Sequence, residues 1–334
     1  MASVDQKNTG LIDGGNFIGL PSAIMDVYSL DIIHEAQGIM KFENFATRRL
    51  NLNAAPGETV KFTIYEDILK GGELTESDSL TSKSMVASQQ PLVIKEYGNA
   101  IKVSEKMMRL SWQDIMSESA TLLGRDYSVV RDVALRDALL AGATNVHFVD
   151  SVTAGGNGLR NLITDIAAAD IMTTDAVRRA AEVLETNNTP KFNGDYYVCF
   201  IHPHQASALR TDSKWLSAHT YNKTEDIYNG EIGRWEDVIF VTTSHMNNGA
   251  AGATNPGFDA TLKTAAAHGG VALTRDLYKS IMFGDQALYC ADALPVELRD
   301  NGVEDFGRTR GLAWYAMWGC ASFQPNYSCV MVTA

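Results

Sequence analysis

The sequence is short of the residues that make covalent or metal cross-links. Its four cysteines, Cys199, Cys290, Cys320 and Cys329, stand apart with no C-x-x-C pair, so neither a zinc site nor a disulfide framework is written here. They read as small buried hydrophobes in a reducing compartment. No uncharged apolar run approaches the roughly 18 residues that a bilayer span needs. The opening MASVDQKNTG lacks the basic start and apolar centre of a secretory signal. These absences predict a soluble protein made in a cytoplasm, with no membrane partner. Positive charge is scarce too, with 28 Lys and Arg against 40 Asp and Glu, a formal net charge of -12. The summed field repels nucleic acid at long range, so general DNA or RNA binding is disfavoured and any patch attractive to phosphate must be local.

Local catalytic fingerprints are also missing. G-x-x-x-x-G-K-[ST], G-x-G-x-x-G, G-x-S-x-G and H-E-x-x-H do not occur. The stretch YNGEIGRWEDVIFV at 228–241 sets Gly230 and Gly233 beside Arg234. It lacks the lysine and hydroxyl of a phosphate loop and precedes a strand rather than a helix, so it reads as a turn. His202 and His204 in HPH have no further ligand in the linear pattern, and His34 with Glu35 lacks a second histidine at the fourth position. A strand-end loop with incidental histidines is the expectation. Glu304, Asp305, Arg308 and Arg310 in GVEDFGRTRG read as an ion-pair network in a loop. The expectation is therefore no catalytic, cofactor-binding or metal-binding residue and no cofactor. A phosphoryl- or acyl-transfer enzyme using Arg234 and the nearby histidines stays open as the alternative from a different class.

What is present is a mixed series of elements. With 334 residues, 45% hydrophobic and 20% charged, the chain suits roughly two or three compact units. Residues 1–55 contain the glycine-broken DGGNFIGLPS and continue with a helical stretch from about Asp31. After Pro56 and Gly57, Val60, Phe62 and Ile64 alternate with Lys61, Thr63 and Tyr65 as in a half-exposed strand. Residues 70–90 are nearly bare of core formers, and Pro91 restarts a strand pattern through Val93, Ile101 and Val103. This predicts a long two-stranded arm with a polar tip that adds little to the subunit's own core. An isolated hairpin is marginal in water, so the arm needs a neighbouring molecule. From Ser111, which pairs with Asp114 like a capping box, Met116, Ala120, Leu123, Tyr127, Val130, Ala134 and Ala138 recur on one helical face up to Gly142. That is about 30 residues, or roughly 45 Å. Past the glycines at 155–158, alternating helix and strand signals predict an α/β layer unit. From Val271 the chain is strand-rich, and Leu312–Trp318 is apolar on both faces.

This order of parts resembles the tailed-phage major capsid proteins of the Hong Kong 97 fold, and among them the family named after the N4 phage capsid protein. The residues that carry the resemblance are PGETVKFTIYEDI with LTE at 74–76, VIKEYGNAIKVSEKM, IHPHQASALRTDSKW followed by YNGEIGRWEDVIFV, and NGVEDFGRTRGLAWYAMWG. The resemblance implies an α+β chain with an N-terminal arm at 1–55, an extended loop at 56–105 and a peripheral domain with a spine helix at 106–164. An axial domain follows at 165–270, and 271–334 returns to the peripheral domain. The implied protein is not an enzyme. It is a major capsid protein that self-assembles as hexamers and pentamers into an icosahedral head around double-stranded DNA, held without sequence specificity. It belongs to the virion and assembles in the host cytoplasm. The implied partners are itself, a separate scaffolding protein, a portal protein and a decoration or cement protein. Candidate assembly residues are Val60, Phe62, Ile64, Val93, Ile101 and Val103, laid over the spine region of an adjacent subunit, with Lys70 and Lys83 in the loop where a cross-link to asparagine could start. A shell held without cross-links is expected. A nanocompartment shell of the same fold is the runner-up within the class.

Overall fold

The computed structural model describes residues 12–13, 16–17, 40–49, 59–65, 82, 84–112, 114–150, 159–160, 162–215, 233–249, 256–259, 262 and 275–334. The expected helical stretch from Asp31, the polar arm tip at 70–81, Lys70, Lys83 and Gly230 lie outside them. In chain order the strands and helices begin with β1 (Ile12–Asp13), β2 (Asn16–Phe17), β3 (Thr47–Arg49), β4 (Thr59–Tyr65), β5 (Ala87–Val93) and β6 (Lys95–Ser104). Then come α1 (Glu105–Leu110), α2 (Ile115–Gly142), β7 (Asn145–Val149), β8 (Leu159–Arg160), α3 (Thr174–Thr186), β9 (Tyr197–Ile201) and α4 (Pro203–Thr211). The chain closes with β10 (Arg234–Trp235), β11 (Val238–Thr242), β12 (Tyr278–Phe283), β13 (Leu288–Glu304), β14 (Thr309–Ser322) and β15 (Ser328–Thr333). The class is mixed α+β. It divides into a unit of residues 38–96, 128–295 and 317–334 and a unit of residues 1–37, 97–127 and 296–316.

The first unit holds a seven-stranded mixed sheet in the order β10-β11-β9-β12-β15-β7-β8. β9 (YVCFI) is buried at all five positions, as its unbroken apolar run demands. It pairs parallel with β11 and antiparallel with β12. Tyr197, Cys199 and Ile201 face α3 and α4, which bury Ala176, Val177, Ala180, Leu184, Ala206 and Leu209 against them. Val198 and Phe200 face the other way, toward Leu135 and Leu139 of α2 and toward Phe42. Phe42 stacks on Phe200 with ring centroids 3.9 Å apart. This sheet crosses the boundaries expected at 165 and 270, because β7 precedes the first and β12 and β15 follow the second. β9, buried on both faces, needs a strand at each edge, and the chain takes β11 from within that segment and β12 from outside it.

In the second unit, β6, β13 and β14 lie in the order β13-β14-β6. Val103, Leu123, Leu312, Trp314 and Ala316 are buried there. Trp314 Nε1 and Asn99 Nδ2 both donate to Asp126 Oδ2, at 2.8 and 2.9 Å. The three apolar positions that alternate with this buried set, Ala313, Tyr315 and Met317, are only half-buried.

Two details of α2 differ from the sequence reading. The helix starts at Ile115, where Asp114 Oδ1 accepts from the N–H of Met116 at 3.1 Å. Ser111 instead ends α1, its N–H donating to Met107 O. The expected stripe of Tyr127, Val130, Ala134 and Ala138 is half-buried, and the fully buried positions run one residue later, through Arg131, Asp132, Leu135, Arg136 and Leu139. Charged residues do not count toward an apolar period, yet these are buried because each has a partner. Pro91 lies inside β5 opposite Lys61 rather than at its start. A strand of a two-stranded ribbon has a free edge, where a missing N–H is tolerated.

Candidate assembly surfaces

The arm is anchored on its own chain. β4 and β5 pair antiparallel from Thr59↔Val93 to Tyr65↔Ala87, and Phe62, Leu92 and Ala291 form a small core with Tyr289 and Phe323 packed against it. The Phe62 ring meets Tyr289 edge-on at 4.9 Å. Gly319 of β14 lies close beneath: a Cβ there would fall 2.4 Å from Leu92 Cδ2 and 2.5 Å from Val93 O. Phe62, 8% exposed, and Val103, 4% exposed, are therefore already covered within the chain. For Phe62 and Val103 this corrects the expectation that the arm's apolar residues are held for a neighbour, and at Phe62 aromatic neighbours distant in sequence supply the cover. Val93 is 46% exposed, and Ile64 and Ile101 are half-buried. Val60 lies opposite Leu92 in the ribbon, its side chain outside the description, as are Lys70 and Lys83.

A second constellation was invisible in the linear pattern. Consecutive residues of α2 clamp the segment Lys41–Arg49. Asp132, fully buried, accepts from the backbone N–H of Lys41 at 2.8 Å and of Phe42 at 3.0 Å, and its other oxygen meets His245 Nδ1 at 2.6 Å. Arg131 pairs with Glu43 at 3.0 Å and Asp292 at 2.9 Å and lies over the Trp318 ring. The only sequence signal is opposite charges at four-residue spacing inside an apolar helix, VVRDVALRDALL.

The histidines serve the fold. His202 caps α4, its Nδ1 accepting from the His204 N–H at 3.2 Å while its own N–H donates to Gln205 Oε1 at 3.1 Å. Gln205 then donates to Thr333 Oγ1 and Tyr278 O, tying α4 to β15 and β12. His204 stacks on Tyr278 at 4.4 Å. The expectation of incidental histidines is thus corrected for His202, which supplies the acceptor that the helix start requires. Burial, and secondarily the charge of His204, push His202 from 6.5 down to about 4. An unfolded histidine takes up its proton near pH 6.5 while the folded one resists it, so this contribution is complete above pH 6.5 and drains away between there and about pH 4. Urea unfolding at pH 7, 5.5 and 4 should lose about 1–3 kcal/mol more in the parent chain than in His202→Asn, which keeps a cap acceptor without titrating. Equal losses would refute the assignment.

Arg234 binds Glu236 O and Asp195 O at 3.0 and 3.1 Å, bracing a turn in which Gly233 (φ +89°) and Glu236 (φ +49°) take left-handed backbone. Lys102 of β6 pairs with Glu304 at the end of β13 at 2.7 Å, and Arg310 Nε of β14 donates to Asp300 of β13 at 3.0 Å.

A sequence model described as phage capsid protein matches residues 129–327. The chain belongs to the phage capsid protein family. No curated protein matches it. Among solved structures, the capsid of the cyanophage P-SCSP1u is similar with a TM-score of 0.66 and 15% identity, covering 100% of this chain and 99% of that one. The head of Helicobacter pylori bacteriophage KHP40 gives 0.67 and 14%, covering 98% and 99%, and the capsid of Ralstonia phage GP4 gives 0.64 and 15%, covering 98% of each chain. At these identities the shared property is the fold.

Among the described residues of this capsid protein, most large exposed apolar side chains fall in two places. The arm shows Tyr65, Met85, Val86 and Val93, and the second unit shows Leu110, Trp112, Leu122, Val296, Leu298, Val303 and Phe306. Phe306 stands fully exposed with φ +54°, between Asp305 and Gly307 at φ +49° and +96°. No described helix is long and apolar enough to cross a membrane. The cysteines are all free. Burial pushes Cys199 up strongly and takes Cys290 to about 12, Cys320 to about 11 and Cys329 to about 12. Thiols so held stay protonated and unreactive. A maleimide at pH 7.5 should label none of the four in the folded protein within minutes and all four in guanidinium. Fast labelling of the native chain would show the burial to be wrong.

Proposed function

We propose that this chain is the major capsid protein of a tailed phage, forming hexamers and pentamers that close into an icosahedral head around double-stranded DNA. The observation that carries the proposal is similarity to capsid chains over nearly the whole length of both partners, together with the family match. The finer reading is the Hong Kong 97 fold in its N4-like form. In that reading residues 56–105 are the extended loop, α2 is the spine, α3, β9, α4 and β11 belong to the axial domain, and the second unit belongs to the peripheral domain. The protein acts structurally, without catalysis, in the virion after assembly in the host cytoplasm. A separate scaffolding protein guides closure, a portal protein occupies one vertex, and a decoration protein can bind outside. The net charge of -12 fits a lining that lets DNA enter, since a strongly basic one would hold it. The clasp between subunits uses the exposed side of the arm, Ile64 and Val93, with Val60 and Ile101, and the lysines Lys70 and Lys83 remain without cross-links.

Negative-stain microscopy of protein coexpressed with its scaffold tests this. Closed shells of uniform size, which boil in detergent to a single band at 36.4 kDa, are the expected result. A discrete small oligomer under all assembly conditions would overturn the reading.

A further inference from the structure

The turn that joins β13 to β14 carries two unfavourable features that nothing among the described residues offsets. Asp305, Phe306 and Gly307 take φ +49°, +54° and +96° in succession. Glycine adopts this left-handed backbone freely and aspartate tolerates it, but for a residue as bulky as phenylalanine it is strained. The strained residue is also the most exposed of the large apolar side chains, its ring wholly in solvent. A slack loop would relax out of both. This one is braced: the Glu105 N–H at the start of α1 donates to Arg308 O at 2.7 Å, the Gly302 N–H donates to Asp300 Oδ1 at 2.8 Å, and Lys102 pairs with Glu304 at 2.7 Å. Val303, 66% exposed, stands at the same turn, since a Cβ on Gly307 would lie 4.0 Å from its Cγ1. Backbone strain persists only where the surroundings impose it, and it gathers where the residue so held is used.

A second observation is independent of the backbone. Segments 97–127 and 296–316 together hold seven Lys and Arg against eight Asp and Glu, whereas the whole chain holds 28 against 40. This part of an acidic protein is nearly neutral. Its charges close on one another beside the ring, Asp305 with Arg308 at 3.5 Å and Glu105 with Arg109 at 2.6 Å.

We propose that Phe306 is an anchor for a neighbouring copy of the same chain, the braced β13–β14 turn presenting its ring, with Val303 beside it, for burial against a second subunit. The inference rests on the capsid reading, since it needs a second copy. Charge selects the occupant. Two copies of an acidic chain repel wherever acidic surfaces face each other, so they meet most readily through a part that is close to neutral. A basic partner would gain more on the acidic remainder of the chain. A fixed turn and a side chain with two torsions lose little freedom on contact, and buried aromatic anchors carry much of the energy of an interface.

The test uses the full-length protein. Phe306→Asn removes the ring and accepts left-handed backbone at little cost, so it should melt no lower than the parent and yet give roughly tenfold fewer closed shells when coexpressed with the scaffold. A lower melting point would mean that the ring serves its own chain, and shells at the parent's yield would mean that no contact needs it. Either result overturns the proposal. Phe306→p-benzoylphenylalanine, irradiated in shells mixed from isotope-labelled and unlabelled subunits, should cross-link to another copy. A cross-link only to the scaffold, or only within one chain, removes the second copy as occupant and leaves the capsid reading standing. If the parent chain never forms shells, both fall together.

Discussion

Asp132→Ala is expected to cost about 3–5 kcal/mol of folding stability, since each buried donor left without its acceptor costs about 1–3 kcal/mol. The loss has three parts. The N–H groups of Lys41 and Phe42 lose their shared acceptor, and His245 loses the carboxylate at 2.6 Å. The Phe42 N–H and His245 gain no water in exchange, because Phe42 is fully covered and His245 is 2% exposed. Phe42 also stacks on Phe200 of the central strand, so loosening Lys41–Arg49 uncovers one face of the sheet. Hydrogen exchange should show the amides of Lys41 and Phe42 losing their protection first, and urea unfolding should give the energy. Asp132→Asn keeps an acceptor for both amides and should lose less than half as much. A midpoint for Asp132→Ala within about 1 kcal/mol of the parent would mean that the clamp is not what holds this segment.

Gly319→Val is expected to abolish closed shells while leaving the seven-stranded sheet folded. The new Cβ would overlap Leu92 Cδ2, which can rotate, and Val93 O, which cannot move without β5. β5 then lifts away, and with it go Phe62 and Leu92, worth about 1.5–3 kcal/mol each when fully buried. The arm's base would no longer set the direction in which its exposed side meets a neighbour. The variant should sediment as a folded subunit, show faster tryptic cleavage at Lys61 and give no shells by microscopy. Shells of parental stability would show that the arm's anchor is dispensable. Gly319→Ala should act in the same direction more weakly.

Much of the local structure follows from periods in the chain. β9 is a continuous apolar run and is buried on both faces; Val60, Phe62 and Ile64 alternate and form a strand; Ala176, Val177, Ala180 and Leu184 carry the period of a helix and bury one side of it. Periodicity reports which face of an element is covered, and it is complete within about ten residues of sequence. The cover itself is not local. Nothing near Phe62 announces Tyr289 and Phe323, nothing near Gly319 announces Leu92, and nothing near Arg131 and Asp132 announces Glu43, Asp292, Lys41 and His245. The same limit holds for the segment at 165–270, whose strands share a sheet with β7, β12 and β15. By itself the sequence determined the element types and the apolar faces, because these depend on backbone geometry and on neighbours a turn or two away. Only the tertiary structure decided which charges are buried, which glycine must stay small and which exposed faces remain for another copy, because those depend on partners from 90 to more than 200 residues distant along the chain.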